Sequence, residues 1–144
     1  MSTHEIRIEA EAGPGWTIAR PGTQAAEHSR TGGGPGAFGW IELRAEPDPS
    51  TENLLVLNEA AIAPRERAGV CEGWLEAALE GLADAARSGA RGRRPVRRLR
   101  VVITGVRFHP ADSRPFCYRE AARRALLRAF EEAGLVEAAP RRSS

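Results

Sequence analysis

The run VVITGVRFHPADSRPFCYREAARRALLRAFEEAGL, residues 101–135, leaves this chain the fewest folding options. It reads as a buried strand, a short polar turn and an amphipathic helix. Leu99, Val101 and Ile103 alternate with Arg98, Arg100 and Val102, giving one apolar face and one largely solvated face. Beyond the turn, Tyr118, Ala121, Ala122, Ala125, Leu126, Ala129 and Ala133 recur at helical spacing. Arg119, Glu120, Arg123, Arg124, Arg128, Glu131 and Glu132 cover the opposite side. A strand and a helix with one apolar side each must bury those sides in a common core. Asp112 or Ser113 can cap the helix, Pro115 suits its first turn and Gly134 its end. The turn sets His109, Asp112 and Ser113 just before a helix N-terminus, where free N–H groups and the dipole favour an anion. Capping alone is the other use of Asp112 and Ser113.

Upstream, EIRIEA is a short alternating segment that predicts a first strand, and AGPGWTIARPGTQ is loop-like, with Trp16 and Ile18 able to pin a second. In RTGGGPGAFGWIELRAEP, Gly32, Gly33, Gly34 and Gly36 make a turn without Cβ bulk. Ile41 and Leu43 then continue as a strand. A loop over 46–53 leads to a strand over 54–62. Pro64 opens a helix expected to run to about Arg87, with Val70, Trp74, Leu75, Ala78, Leu79, Leu82 and Ala86 on its apolar face. SGARGRRPVRR links it to the next strand, and residues 136–144 read as a flexible tail. The order predicts an α/β (α+β) two-layer sandwich: a mostly antiparallel sheet of about four strands, two helices on one face and water on the other. Residues 1–24 are expected as an N-terminal strand and loop, and 25–135 as the body of a single domain.

At 144 residues the chain can build a core without disulfides or metal. No apolar run approaches a membrane span, and the N-terminus lacks a signal peptide's apolar core, so a cytoplasmic protein away from membranes is expected. Cys71 and Cys117, both expected on helices, read as buried free thiols. His4, His28 and His109 are scattered, so neither a metal site nor a cofactor is expected. All 21 basic residues counted as Lys and Arg are arginine. Without lysine there is no phosphate-binding P-loop and no Schiff-base chemistry. The charge is segregated: residues 1–84 sum to −8, residues 85–111 to +8 with no acid, and residues 112–144 to +2. A basic block without interleaved acids points toward an anionic partner.

The glycine-rich loop, LLVLNEAAIAPRE with Pro64, Arg65 and Glu66, and the run from Pro95 and Val96 to His109, Asp112, Ser113, Tyr118 and Ala121 together resemble domain IV of elongation factor G. The eukaryotic counterpart, elongation factor 2, and the tetracycline-resistance ribosomal protection proteins share that domain. The resemblance covers roughly residues 25–135. It implies a glycine loop between two strands, a left-handed β-α-β crossover, and a tip formed where the glycine loop meets the histidine turn. In that family the tip enters the decoding site of the small ribosomal subunit. By position, Gly33, Gly34, Gly36 and Phe38 would form one tip loop and His109, Asp112 and Ser113 the other. Arg30, Arg107 and Arg114 flank both. Pro35 stands where a basic residue is usual. The chain also reads as a free-standing tip domain, without the family's GTPase module.

Only Asp112 accompanies His109 in its turn, so no enzyme is expected; a lone His needs an oriented partner for acid–base work. Arg91, Arg93 and Arg94 should lie at the far end of the strand from His109, as much as about 45 Å away at roughly 3.3 Å per residue. Arg98 and Arg100 sit between, on the open face. This basic base suits RNA or a protein partner equally, and a solvated basic edge is the bland reading. The expected function is therefore non-enzymatic binding of the small ribosomal subunit or structured RNA. The alternative is a protein-interaction module, homodimeric through a sheet edge or paired with a separate GTPase.

Overall fold

The computed structural model describes residues 2–8, 15–30 and 35–139. Its strands are β1 (Ser2–Ile6), β2 (Trp16–Ile18), β3 (Gly22–Arg30), β4 (Ala37–Pro47), β5 (Leu54–Asn58), β6 (Leu99–Arg107) and β7 (Leu135–Glu137). Helix α1 (Trp74–Asp84) lies between β5 and β6, and α2 (Pro115–Ala133) between β6 and β7. Five strands form one sheet in the order β1-β5-β6-β4-β3, while β2 and β7 pair separately. Neighbours are antiparallel except β5 and β6, whose parallel pairing needs the crossover through α1.

Alternation places the core. Ile41, Leu43 and Ala45 of β4, Leu54 and Val56 of β5, and Leu99, Val101 and Ile103 of β6 are fully buried. They form one cluster with Trp74, Ala78 and Leu82 of α1 and with the alanine-rich side of α2. Both helices therefore cover one sheet face, and each large aliphatic side chain buried there is worth about 1.5–3 kcal/mol. Close approach depends on two glycines. A Cβ at Gly39 would lie 2.6 Å from the Cys117 carbonyl carbon, and one at Gly81 would run into the Arg119 carbonyl. Gly39 thus seats α2 on β4, and Gly81 seats α1 on α2.

The residue pattern marks no strand at β3, which is called for only by the glycine loop between two strands that the resemblance implies. Its sequence, GTQAAEHSR, buries only Gly22 and Ala26, because β3 is a sheet edge rather than a half-buried strand. Its outward backbone is nevertheless occupied. Arg124 donates to the Glu27 carbonyl at 2.9 Å, Arg128 donates to the Ala25 carbonyl at 3.1 Å, and Glu132 accepts the Thr23 N–H at 3.4 Å. Four residues apart on α2, these side chains reach round the edge and block further strand pairing.

The helix expected over 64–87 is interrupted. Pro64–Gly69 is a 3-10 segment that buries nothing, and α1 starts only after Gly73, whose φ of +83° suits a residue without Cβ. Val70, expected on the apolar face, is 38% exposed, and Cys71 lies in the link rather than on a helix, half-buried. Cys117 is buried in α2 as expected. The end of α1 widens into a π turn, Ala85–Gly89. Neither Asp112 nor Ser113 caps α2: the extended Arg114 holds that position without a side-chain bond. Pro115 and Gly134 stand at the helix ends as expected. The strand expected over 54–62 stops at Asn58, and the first strand begins earlier than expected, at Ser2. Residues on both sides of the expected 25–135 body are built in: β1 joins the main sheet, β7 pairs with β2, and Ala138 is buried.

Candidate nucleic-acid interface

The tip is built on an irregularity in β6. Glu42 pairs with Gly105 but Leu43 pairs with Ile103, so Thr104 is an extra residue. This bulge shifts the alternation by one. Val106 and Phe108 then face the core, and Arg107, in register with Trp40, is left exposed.

The turn that follows is held from beneath. Tyr118, fully buried, donates its hydroxyl to the Arg107 carbonyl at 2.7 Å. With that proton committed, the Ser113 hydroxyl donates to the phenol oxygen at 2.8 Å and accepts the His109 N–H at 2.8 Å. Burial pushes the Tyr118 pKa well up, which keeps the phenol a neutral donor. His109 Nδ1 accepts the N–H groups of Ala111 at 3.2 Å and Asp112 at 3.1 Å, which leaves the ring proton on Nε2. The Asp112 carboxylate lies 3.6 Å from the same Nδ1. Glu66, from the Pro-Arg-Glu segment, accepts the Phe108 N–H at 2.7 Å. Trp74, Phe108 and Tyr118 pack together with ring centroids 5.4–6.2 Å apart.

Phe38 ties the glycine loop to this turn. Its N–H donates to the Asp112 carbonyl at 2.9 Å, and its carbonyl accepts the Arg114 N–H at 3.4 Å. The result is a one-residue parallel bridge between Phe38 and Ser113. Any Cβ at Gly36 would collide with the Asp112 carboxylate, and the Phe38 ring lies 6.3 Å from that of His109. The end of the glycine loop and the histidine turn are therefore one surface. Arg30, Arg107 and Arg114 are exposed, with Arg30 pairing with Ala37 at the end of the β3–β4 ladder. Gly33 and Gly34 lie outside the described residues.

The other basic residues have different surroundings. Arg98 holds Glu52 at 3.1 Å, and Arg100 holds Asp48 at 3.2 Å. Arg94 lies 3.9 Å from the Trp16 ring centroid and 3.6 Å from Glu137. Arg97, buried, donates to the Ile8 carbonyl at 3.3 Å, and Arg87 to the Arg7 carbonyl at 2.9 Å. Arg91 and Arg93 are exposed. The basic block meets its acids in space, from residues 46–52 and the C-terminal strand. The Ser50 hydroxyl and N–H, with help from Arg100, hold the Asp48 carboxyl below its usual range although burial opposes this. Among the described residues no cluster of three or more His, Cys, Asp or Glu could hold a metal, and no helix is long and apolar enough to cross a membrane.

The roles of three residues that matter here escape a reading of the sequence. Trp40 lies under Arg107, whose guanidinium carbon is 4.5 Å from its ring centroid. Glu66 acts through its carboxylate on Phe108, and Gly39 works by closeness. The indole in GAFGWIEL gives a signal, as a large aromatic at a position that alternation assigns to the open face, and Glu66 stands in the Pro-Arg-Glu segment.

The chain matches the family described as elongation factor G, domain IV, over residues 15–134. It is 30% identical over 121 residues to the elongation factor G of Thermotoga petrophila, covering 81% of this chain and 16% of that protein. With elongation factor G 2 of Streptomyces coelicolor it shares 29% identity over 148 residues, covering 90% and 21%. A crystal structure of a Thermus thermophilus protein matches with a TM-score of 0.70 at 25% identity, over 86% of this chain and 18% of that one. The chain thus spans 16 to 21% of the length of these elongation factors. By sequence and by fold, it belongs to the elongation factor G domain IV family.

Proposed function

We propose that this domain binds the small ribosomal subunit, or RNA of similar structure, through its tip and without catalysis. The observation that carries this is the Phe38–Ser113 bridge, which joins the two loops into one surface ringed by Arg30, Arg107 and Arg114. Its relatives are translation factors, and such a role belongs in the cytoplasm. The chain has no lysine and hence no P-loop, so its action is independent of its own GTP hydrolysis, alone or beside a separate GTPase. Calorimetry with GTP and magnesium is expected to give only heat of dilution.

The test is co-sedimentation with small ribosomal subunits across a salt series. Six phosphate contacts at about −0.7 each would give a log–log slope of roughly −4. No association at low salt would overturn the reading. One observation favours the protein-interaction alternative: a cleft of about 370 Å³ at the base, lined by Leu127, Phe130 and Leu135 with Arg91 and Glu131 at its rim. Replacing Arg91, Arg93 and Arg94 with Ala discriminates between them. If ribosome binding fails in these variants and survives loss of the tip arginines, the base is the interface.

A further inference from the structure

The open face of the sheet carries a layered pair beside the tip. Trp40 lies over Gly105, where an added Cβ would stand 3.2 Å from Cζ3 and 3.5 Å from Cη2 of the indole. The Arg107 guanidinium lies over the ring, 4.5 Å from its centroid. The backbone that carries Arg107 is held in place. The bulge at Thr104 turns Arg107 onto this face, and the Tyr118 hydroxyl pins its carbonyl. Among the described residues no carboxylate pairs with Arg107, whereas Arg98 and Arg100 each hold one. Arg107 is exposed, and its guanidinium N–H groups make no hydrogen bond among the described residues.

We propose that Trp40 and Arg107 form a stacking platform for an unpaired nucleobase of bound RNA; this rests on the RNA-binding reading of the tip. Guanidinium and indole planes both take a base face-on, and the outward guanidinium N–H groups can reach a phosphate or a base edge. The flanking charges favour a base rather than a phosphate on the outer side of this stack. Glu27, bonded by Ser29, is Trp40's register partner on β3, and Glu42, bonded by Thr104, follows two residues on along β4. Two carboxylates beside an indole repel an anion and leave an uncharged aromatic unaffected. A perfect duplex offers a base face only at its two ends, so the platform favours looped RNA over paired RNA.

The experiment compares a hairpin RNA carrying an unpaired loop with a blunt duplex of the same stem, bound by the full chain at low salt. Trp40→Ala is expected to weaken hairpin binding about tenfold, in line with the usual worth of one base stack, and to leave the duplex and the salt slope unchanged. Trp40→Phe, which keeps an aromatic face, should recover most of the loss and guards against a folding defect. Arg107→Lys keeps the charge and the slope but is expected to lose hairpin affinity. Equal binding of the hairpin by Trp40→Ala and the unsubstituted chain would overturn the platform and leave RNA binding at the tip standing. Equal losses on hairpin and duplex would also overturn it. If the unsubstituted chain binds neither RNA, both readings fall.

Discussion

Arginine at the tip and arginine at the base carry the same charge and meet different fates. Arg98 and Arg100 are closed on Glu52 and Asp48, and Arg94 is held between Trp16 and Glu137. Arg30 and Arg114 stand exposed at the tip, and Arg107 rests on an indole face. Of the eight arginines in the +8 block, Arg87, Arg94, Arg97, Arg98 and Arg100 are therefore engaged within the chain. Arg91, Arg93 and the tip arginines make up the available positive surface. Charge along a chain and charge on a surface are different quantities, and only the second recruits an anion.

The comparison breaks first if the tip is not held by the core. Tyr118→Ala should cost on the order of 3 kcal/mol in denaturant unfolding, because it empties a fully buried site between α2 and the sheet. A loss below about 0.5 kcal/mol would show that the tip turn stands without it. Tyr118→Phe removes only the hydroxyl and strands the Arg107 carbonyl. It should cost about 1–2 kcal/mol and weaken tip binding while leaving the base contacts intact.

Next comes a swap of the two arginine sets. Arg107→Ala with Arg114→Ala should flatten the salt slope of RNA binding by about one unit or slightly more, with little change in stability. Arg98→Ala with Arg100→Ala should do the reverse: unchanged binding and a loss of about 1–2 kcal/mol in stability as Glu52 and the buried Asp48 lose partners. Binding and thermal unfolding measured on both double variants decide it. Equal binding losses from the two pairs would erase the distinction between tip and base.

Much of this is legible in the sequence where local pattern and packing agree. The alternation of β6 and the alanine side of α2 name the core, and the burial of Tyr118 follows from its helical phase alone. Beyond Ile103 the same alternation misleads, because one inserted residue at Thr104 reverses the faces and no composition rule marks a bulge. Strand β3 is hidden for a different reason. An edge strand needs little apolar side chain, and its support comes from Arg124, Arg128 and Glu132 on a helix about a hundred residues later. In the sequence those three residues read as a plain solvated face. Arg98 and Arg100 mislead in the same way, since their acids lie some fifty residues upstream and pair only through the β4–β6 and β5–β6 ladders.

The covered edge yields a smaller effect. Arg124→Ala with Arg128→Ala would free the Glu27 and Ala25 carbonyls on β3. The expected outcome is weak, concentration-dependent self-association in sedimentation velocity, with stability lowered by less than about 1 kcal/mol. A strictly unchanged oligomeric state would show that the helix side chains are dispensable as an edge cover, and would return the sheet edge to the candidates for a partner surface.

The smallest effect lies in acid and concerns what a base arginine does that a tip arginine does not. The Asp48 carboxyl is held below its ordinary value of 3.8, chiefly by the Ser50 hydroxyl, with the Ser50 N–H and Arg100 adding to it. A carboxylate whose folded pKa is depressed binds fewer protons in the folded state than in the unfolded one. Its contribution is therefore complete above the unfolded value and disappears as the pH falls through the folded one. Unfolding followed below about pH 4 should accordingly show a shallower acid loss in Asp48→Asn than in the parent. Because the Ser50 bond is the larger cause, Ser50→Ala should flatten that limb more than Arg100→Ala. Arg107→Ala, which has no carboxylate to release, should leave it unchanged. If Arg107→Ala alters the acid limb as much as Arg100→Ala does, the tip arginine has an anionic partner within the chain, and its availability to RNA is lost.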